Sequence, residues 1–497
     1  MSVGRNILKL IFSRVGAQVI TLLTAPILTR LFDVSDFGVR QVFSSLLAVL
    51  VVLCCLRYEL SIPLGKDRRE AVSSFILSIL LTAVFSVLLF VLVPILKGKI
   101  AAWYEMPELE VFLWLIPAFV LIQGIDLALR NWAGYEKKFG AIAWASFGAA
   151  LGQRPVSLVW ALLLGATLTG LFVGAFGHIV VPLFVLLYFC GRSIKETIRS
   201  NKIDFKDLWT TAKVHKKFPV YNSWAAFLNS FSKQLPVFIL GLYFTEEVIG
   251  YSVLGLYFLA RSILTLPIRL ITMSVSQVYY PMAAAAYAKT GSMSQITSDV
   301  FKRLVQIGVL PMLVLAFLGG PLFRFVFGEK WYEAGIYAQI MAPWLLVNFV
   351  SSPLTIYNIL NRQGTGLIIT VIAMIGRAAS LLVGGMFFTP RIALALFSGF
   401  NVLIMMCSLF YRLWLAKVSV LWALEKLVKY CLVCSALIIP VMVLARWVPD
   451  WAVVIGAFLV WIIYIAVIMT ADASLRRFVL SILEKFAIIR NSERQED

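Results

Sequence analysis

The chain has 497 residues, 61% of them hydrophobic and 14% charged, with a mean hydropathy of +0.91. A soluble domain is about 25% charged, so these values exclude a soluble enzyme or binding module and specify an integral membrane protein. The net charge of +19 would point to nucleic acid in a soluble protein. Here it reads as loop charge that sets orientation, and no nucleic-acid partner is expected.

About 20 apolar residues cross a bilayer as a helix, and such stretches recur along the whole chain. Fourteen helices are predicted, at 7–31, 37–64, 71–96, 111–133, 138–164, 168–190, 218–244, 249–285, 298–326, 334–360, 365–388, 391–415, 427–446 and 451–471. The opening MSVGRNILKL looks like a signal peptide, but Arg14 interrupts the apolar run, so it is read as an uncleaved first span. In that span Arg14, Gln18 and Thr21 fall on one stripe, continued by Ala25. In the second, Cys54, Arg57 and Ser61 share a face, with Glu59 two residues from Arg57 and therefore not facing it on a helix. Asp126 lies in the fourth span and Arg154 in the fifth. The stretch 191–217 is polar, basic and too short to bury a core. Past it, Asn222, Ala226, Asn229, Lys233 and Pro236 form a stripe in the seventh span. Arg261, Thr265, Arg269, Thr272 and Ser276 form the longest one, in the eighth, and Arg377 lies in the eleventh. Pro26, Pro155, Pro236, Pro267 and Pro353 sit inside spans, where proline permits a kink. The six cysteines lie in or at the ends of apolar segments and read as buried thiols; Cys431 and Cys434 lack the further ligands a metal site needs.

With the first terminus inside, Lys and Arg in the inner segments far outnumber those in the outer ones, which places both termini in the cytoplasm. The chain also repeats weakly. Leu28 to Gly38 matches Leu240 to Gly250, with Arg57 falling on Arg269. Gly98 and Trp103-Tyr104-Glu105 match Gly328 and Trp331-Tyr332-Glu333, and Arg154 to Ser157 matches Arg377 to Ser380. The domain reading is a six-helix lobe at 1–190, a cytoplasmic linker at 191–217, a second six-helix lobe at 218–420, and an extra helix pair with a basic tail at 421–497. An even helix number per half makes the repeats parallel, related by an axis along the membrane normal.

Within the spans, Arg14, Arg57, Arg154, Lys233, Arg261, Arg269 and Arg377 face only two acids, Glu59 and Asp126. A charge inside a span is costly and normally faces a protein interior or a wet cavity. This imbalance predicts an anionic cargo, and arginine's planar fork suits phosphate oxygens. Arg14 and Arg57 also have a second reading, as side chains snorkelling to headgroups. Glu59 is read as pairing with another helix or holding the inner gate. Asp126 is read as a structural hydrogen bond or as an arginine's partner, and both acids are coupling candidates. Trp103, Tyr104, Trp331 and Tyr332 are expected in the outer aromatic belt.

Leu28-Thr-Arg-Leu-Phe32 with Asp36-Phe-Gly38 resembles the first-loop signature of the polysaccharide-biosynthesis flippases. So do Arg57-Tyr-Glu59, Tyr135-Glu-Lys-Lys-Phe139 and Phe327-Gly-Glu-Lys-Trp331. These proteins belong to the multidrug/oligosaccharidyl-lipid/polysaccharide exporter superfamily, and the resemblance covers about residues 5–415. It implies an all-α fold of two six-helix lobes around a central cavity. It also implies translocation of an undecaprenyl-pyrophosphate-linked oligosaccharide, of O-antigen or capsule type, in a bacterial inner membrane. The implied partners are the lipid-linked oligosaccharide, the phospholipid bilayer, a polysaccharide polymerase and a chain-length regulator. The protein is expected to be a monomer without cofactor or enzymatic activity. Two alternatives remain: a cation-coupled drug exporter of the same superfamily, which wants intramembrane carboxylates, and a membrane enzyme acting on lipid-linked sugars. The latter needs more room than the outer loop 97–110 offers. No Walker A motif is present, so ATP is not the direct energy source in this chain.

Overall fold

The computed structural model describes residues 3–201, 203–245 and 252–471; the side chains of 3–15, 17, 363 and 471 lie outside that description. Arg14, Gly250 and the basic tail after 471 are therefore not part of the structural account. The described residues form α1 (Val3–Leu31), α2 (Val34–Cys54), α3 (Arg68–Trp103), α4 (Pro107–Leu113), α5 (Ile116–Tyr135), α6 (Phe139–Leu164), α7 (Leu168–Asn201), α8 (Phe205–Val214), α9 (Ser223–Tyr243), α10 (Val253–Thr290), α11 (Ser294–Phe327), α12 (Tyr332–Ser351), α13 (Ile356–Ile359), α14 (Gln363–Phe387), α15 (Pro390–Leu415), α16 (Val420–Leu444) and α17 (Asp450–Ala471). Short 3-10 turns cover Tyr58–Leu64 and Glu329–Trp331, and no strand occurs among the described residues.

Every predicted span coincides with a helix or a helix pair. Among the described residues eleven helices are long and apolar enough to cross a membrane, and α4 with α5, bent by 48°, makes a twelfth if the pair is one span. The other two expected spans fall on α1, of which the continuous stretch described with its side chains is Gln18–Leu31, and on α9, whose polar stripe lowers its apolarity.

Helices before α8 pack mainly on one another, with α6 against α7 and α1, and α3 against α5. Helices after it do the same, with α11 against α12, and α15 against α12 and α14. We refer to the amino-terminal and carboxy-terminal bundles, and to the end where α1 turns into α2 as the upper end. The bundles meet through α2, which lies along α9 and α10. At mid-height Ser230 Oγ donates to Ala48 O at 2.8 Å and Ser45 Oγ to Gln234 Oε1 at 3.1 Å. Near the top, Gly38 and Gly255 bring α2 and α10 almost into backbone contact. A Cβ on Gly255 would strike the carbonyl of Val34, and one on Gly38 the hydroxyl of Ser252.

Helices α16 and α17 lie along α11. Near the middle, Gln306 Nε2 donates to Tyr430 Oη at 2.7 Å, and Tyr464 Oη donates to Gln306 O at 2.8 Å. At the top, Arg324 holds Asp450 with both arms of its guanidinium, Nη2 to Oδ1 at 2.7 Å. At the lower end α8 is fixed to the amino-terminal bundle. Arg69 pairs with Asp207 at 2.9 Å, His215 with Glu70 at 3.2 Å, and Tyr58 Oη donates to Ala212 O at 3.1 Å.

Candidate functional site

Helix α10 carries two of the expected cations and stands between two polar spaces. On one side is a cleft of about 350 Å³ between the bundles, lined by Gln18, Thr21, Ser146, Gln153, His178 and Arg269. His178 Nδ1 donates to the carbonyl of Ala149 at 3.0 Å, which leaves Nε2 as the free ring nitrogen. On the other side is a chamber of about 470 Å³ inside the carboxy-terminal bundle. It is lined by three cations, Lys233, Arg377 and Arg412, and by amides and hydroxyls such as Asn229, Asn348 and Tyr357.

Arg377 is oriented by neutral partners, with Nε donating to Asn401 Oδ1 at 2.7 Å and Nη1 to Ser232 Oγ at 3.3 Å. Arg261 lies over the ring of Tyr257, at 5.9 Å from its centroid. Lys233 feels the charges of Arg261, Arg269 and Arg377, and Arg377 that of Arg261, and among the described residues neither pairs with a carboxylate. Four expected cations thus converge around α10. Thr265 and Thr272 do not join them, because each hydroxyl donates to its own helix, to Arg261 O and Ile268 O at 2.8 Å.

The other expected residues are placed elsewhere. Helix α2 ends at Cys54, and Leu56 and Arg57 adopt left-handed backbone, at φ 46° and 63°. The expected stripe of Cys54, Arg57 and Ser61 therefore does not exist. The same turn swings Arg57 Nη1 to 3.4 Å from Glu59 Oε1, so the two form an ion pair, contrary to the helical expectation. Glu59 is 2% exposed, and its Oε2 has no partner. Asp126 pairs with Arg130 one helical turn away, Nε to Oδ2 at 2.5 Å, and Arg130 also reaches Ser146 Oγ at 3.3 Å. Arg154 is half-buried in α6 and its charge acts on Arg40 of α2.

Arg40 is not among the expected cavity cations, yet it is only 8% exposed, inside α2. The signal that locates it is the pair Asp33 and Asp36, whose mutual capping starts the helix at Val34 and not at 37; the backbone N–H of Asp33 donates to Asp36 Oδ2 at 3.3 Å. Arg412 is likewise not among the expected cavity cations. It lines the chamber and donates to the carbonyls of Ser351 and Leu354, at 2.8 and 3.4 Å, where α12 breaks before Pro353.

The upper end is closed by aromatic wedges. Trp331 was expected in the aromatic belt, but it is fully buried, its Nε1 donating to Thr29 O at 2.8 Å and its ring edge-on to Phe37 at 5.4 Å. Phe37 stacks on Phe258 of α10 at 5.7 Å. Arg30 Nη2 donates to Phe325 O at 2.9 Å, and Lys330 to Phe32 O. Tyr104 is also buried, against Gly241 of α9. Trp103 and Tyr332 are the exposed members, as a belt requires. Each half therefore sends one aromatic from its matched motif into the first helix region of the other half.

A family model described as polysaccharide biosynthesis protein matches residues 27–335, more than half of the chain. The chain belongs to the polysaccharide biosynthesis protein family. No curated protein matches it significantly in sequence. Among solved structures it is similar to the lipid II flippase MurJ in an inward closed conformation, at 14% identity and a TM-score of 0.66, over 94% of this chain and 99% of that one. It is also similar to an inward-facing multidrug resistance MATE family transporter of the MOP superfamily, at 14% identity and a TM-score of 0.59, over 84% and 98%. These likenesses show the fold. The matched region of the polysaccharide biosynthesis family holds the upper closure, from Thr29 to Trp331, together with both cations of α10. It ends before Arg377 and Arg412.

Proposed function

We propose that the protein flips an undecaprenyl-pyrophosphate-linked oligosaccharide from the inner to the outer leaflet of a bacterial cytoplasmic membrane by alternating access. Its architecture in this reading is fourteen spans with both termini inside: lobes at 1–190 and 218–420, a linker at 191–217 and an added pair at 421–497. The upper end is the outer one, closed here by Trp331, Phe37 and Tyr104. The observation that carries the reading is the convergence of Lys233, Arg269 and Arg377 on polar spaces among apolar helices, with the charge of Arg261 close to Lys233 and Arg377 and, among the described residues, no carboxylate paired with either. An uncompensated cation cluster in a low-dielectric site is stabilised by an anion, and the diphosphate of a lipid carrier supplies one. Arg14 and Arg154 extend the basic lining on the amino-terminal side. Glu59 and Asp126, each paired with an arginine, serve the inner gate. The apolar slot of about 420 Å³ between α2, α3 and α9 suits part of a polyprenyl tail.

A cation-coupled drug exporter would need free carboxylates where these cations stand. The test is reconstitution of the purified chain in vesicles with a fluorescent undecaprenyl-pyrophosphate oligosaccharide. Faster loss of inner-leaflet label than in empty vesicles is expected. Efflux of a cationic dye with no movement of the lipid would reverse the assignment.

A further inference from the structure

The expected cations divide between two spaces. Arg269 faces the cleft between the bundles, whereas Lys233, Arg377 and Arg412 line a chamber belonging wholly to the carboxy-terminal one. We propose that this chamber, between α9, α12, α14 and α15, is an oxyanion-binding site in its own right, separate from the cleft and filled from the lower end by the phosphate or carboxylate group of the cargo.

Three observations carry it. The first is depth. The chamber begins at Asn358 and Gly366, near the lower end, and Arg377 lies fourteen residues along α14 from its first residue, Gln363. At about 1.5 Å per residue that is roughly 21 Å of helix, well into the apolar layer. The second is charge. Arg377 and Arg412 are held in place by neutral oxygens only: Asn401, Ser232, Ser351, Leu354 and Ser408. These bonds fix the guanidinium groups without cancelling their charge. The third is the free donor. Lys233 has no hydrogen bond or ion pair among the described residues, although it stands beside Arg377. Buried cations are normally paired, and here two are oriented and a third is left open toward the same space. The chamber's size falls within the roughly 300–1,000 Å³ of small-molecule sites. Its amides and hydroxyls, Asn229, Asn348 and Ser352 among them, suit a sugar next to the charged group.

The chamber moves with one bundle. A ligand held there crosses with the carboxy-terminal bundle, and the cleft is left for the rest of the cargo. This extends the flippase reading and rests on it for the identity of the cargo, but the site can be tested without transport.

The experiment uses the purified full-length protein in detergent, with inorganic pyrophosphate and glucuronate as probes. Cysteines introduced by Ser352→Cys in the chamber and Gln153→Cys in the cleft report alkylation rate by mass spectrometry of their peptides. Pyrophosphate, glucuronate or both should slow alkylation at 352 and leave 153 unchanged. Pyrophosphate alone identifies the carrier diphosphate, and glucuronate alone an acidic sugar. Lys233→Gln breaks no hydrogen bond, so it should fold normally and raise the protecting concentration roughly 10- to 100-fold, the loss of one charge-assisted contact. Arg69→Gln, at the lower surface, should leave it unchanged. Absence of protection at 352 by either probe, equal protection at 153, or an unaltered response in Lys233→Gln would each overturn the proposal. Protection at 352 in a protein that moves no lipid-linked sugar in vesicles would instead leave the site standing and remove the flippase reading.

Discussion

The side chains that decide this protein differ in what holds them. Arg377 and Arg412 are tied by neutral oxygens, Arg57 and Arg130 by carboxylates, and Lys233 by nothing among the described residues. Only the first and last kinds retain a charge available to a ligand. Lys233→Ala and Arg269→Ala should therefore abolish surface-polysaccharide export in a deletion strain while membrane protein on a blot stays near normal. A loss of about 2.8 kcal/mol of phosphate binding is about a hundredfold in affinity. Arg269→Lys should restore part of the export, since charge remains without the bidentate fork. Full complementation by both alanine variants would refute the anionic cargo. The two tryptophans separate packing from exposure. Trp331→Ala removes a fully buried indole and should cost about 3–5 kcal/mol, seen as a lower melting temperature in detergent. Trp103, 64% exposed, should change stability by no more than about 0.5 kcal/mol when replaced by alanine. Equal shifts in the two variants would contradict the buried wedge.

Among the elements, α2 has the central part because it alone runs along both α9 and α10. Its upper half is held by small residues: a Cβ at position 255 would meet the carbonyl of Val34. Gly255→Leu should hold the upper end apart. A cysteine placed at Thr29, whose carbonyl the buried Trp331 covers, should then react with a membrane-impermeant maleimide from outside, whereas with Gly255 intact it should be protected. Protection in both backgrounds would show that α2 and α10 do not form the closure. The last helix pair is attached more firmly than a peripheral addition. It follows α11 from the Phe301–Trp422 ring contact to the Arg324–Asp450 pair. Truncation after residue 420 exposes that face and leaves Gln306 without Tyr430 and Tyr464. The truncated protein should melt well below the full chain. An unchanged melting temperature would return the pair to a peripheral role.

For the molecule as a whole, the closed upper end and the lower-end chamber fit a state that loads from below. The proposed orientation gives this a direction. Cysteines at Ser200 and Ser294 should label only from the cytoplasm and one at Thr169 only from outside; all three positions lie at helix ends on their respective sides. Labelling of Ser200 from the outer face would invert the molecule and place the chamber on the wrong side for loading.

The sequence by itself determined the membrane class, the approximate position of the spans and the excess of cations over acids within them. Apolar length and charge cost are local properties that need no neighbour. It also located the matched aromatic motifs, but not which member of each is buried. Trp331 and Tyr104 are inside and Tyr332 and Trp103 outside because two non-identical helices, α1 and α9, receive them. Pairing Arg57 with Glu59 required a left-handed turn that ends α2, and an i,i+2 argument assumes a helix that is not there. Arg40 and Arg412 fall near the ends of their predicted spans, where a charge is cheap, and only their packed neighbours show that Arg40 is buried and that Arg412 lines the chamber. The division of the cations between cleft and chamber was decided by tertiary structure alone. Lys233 lines the chamber and Arg269 the cleft, and only the helices packed around α9 and α10 determine which space each side chain enters.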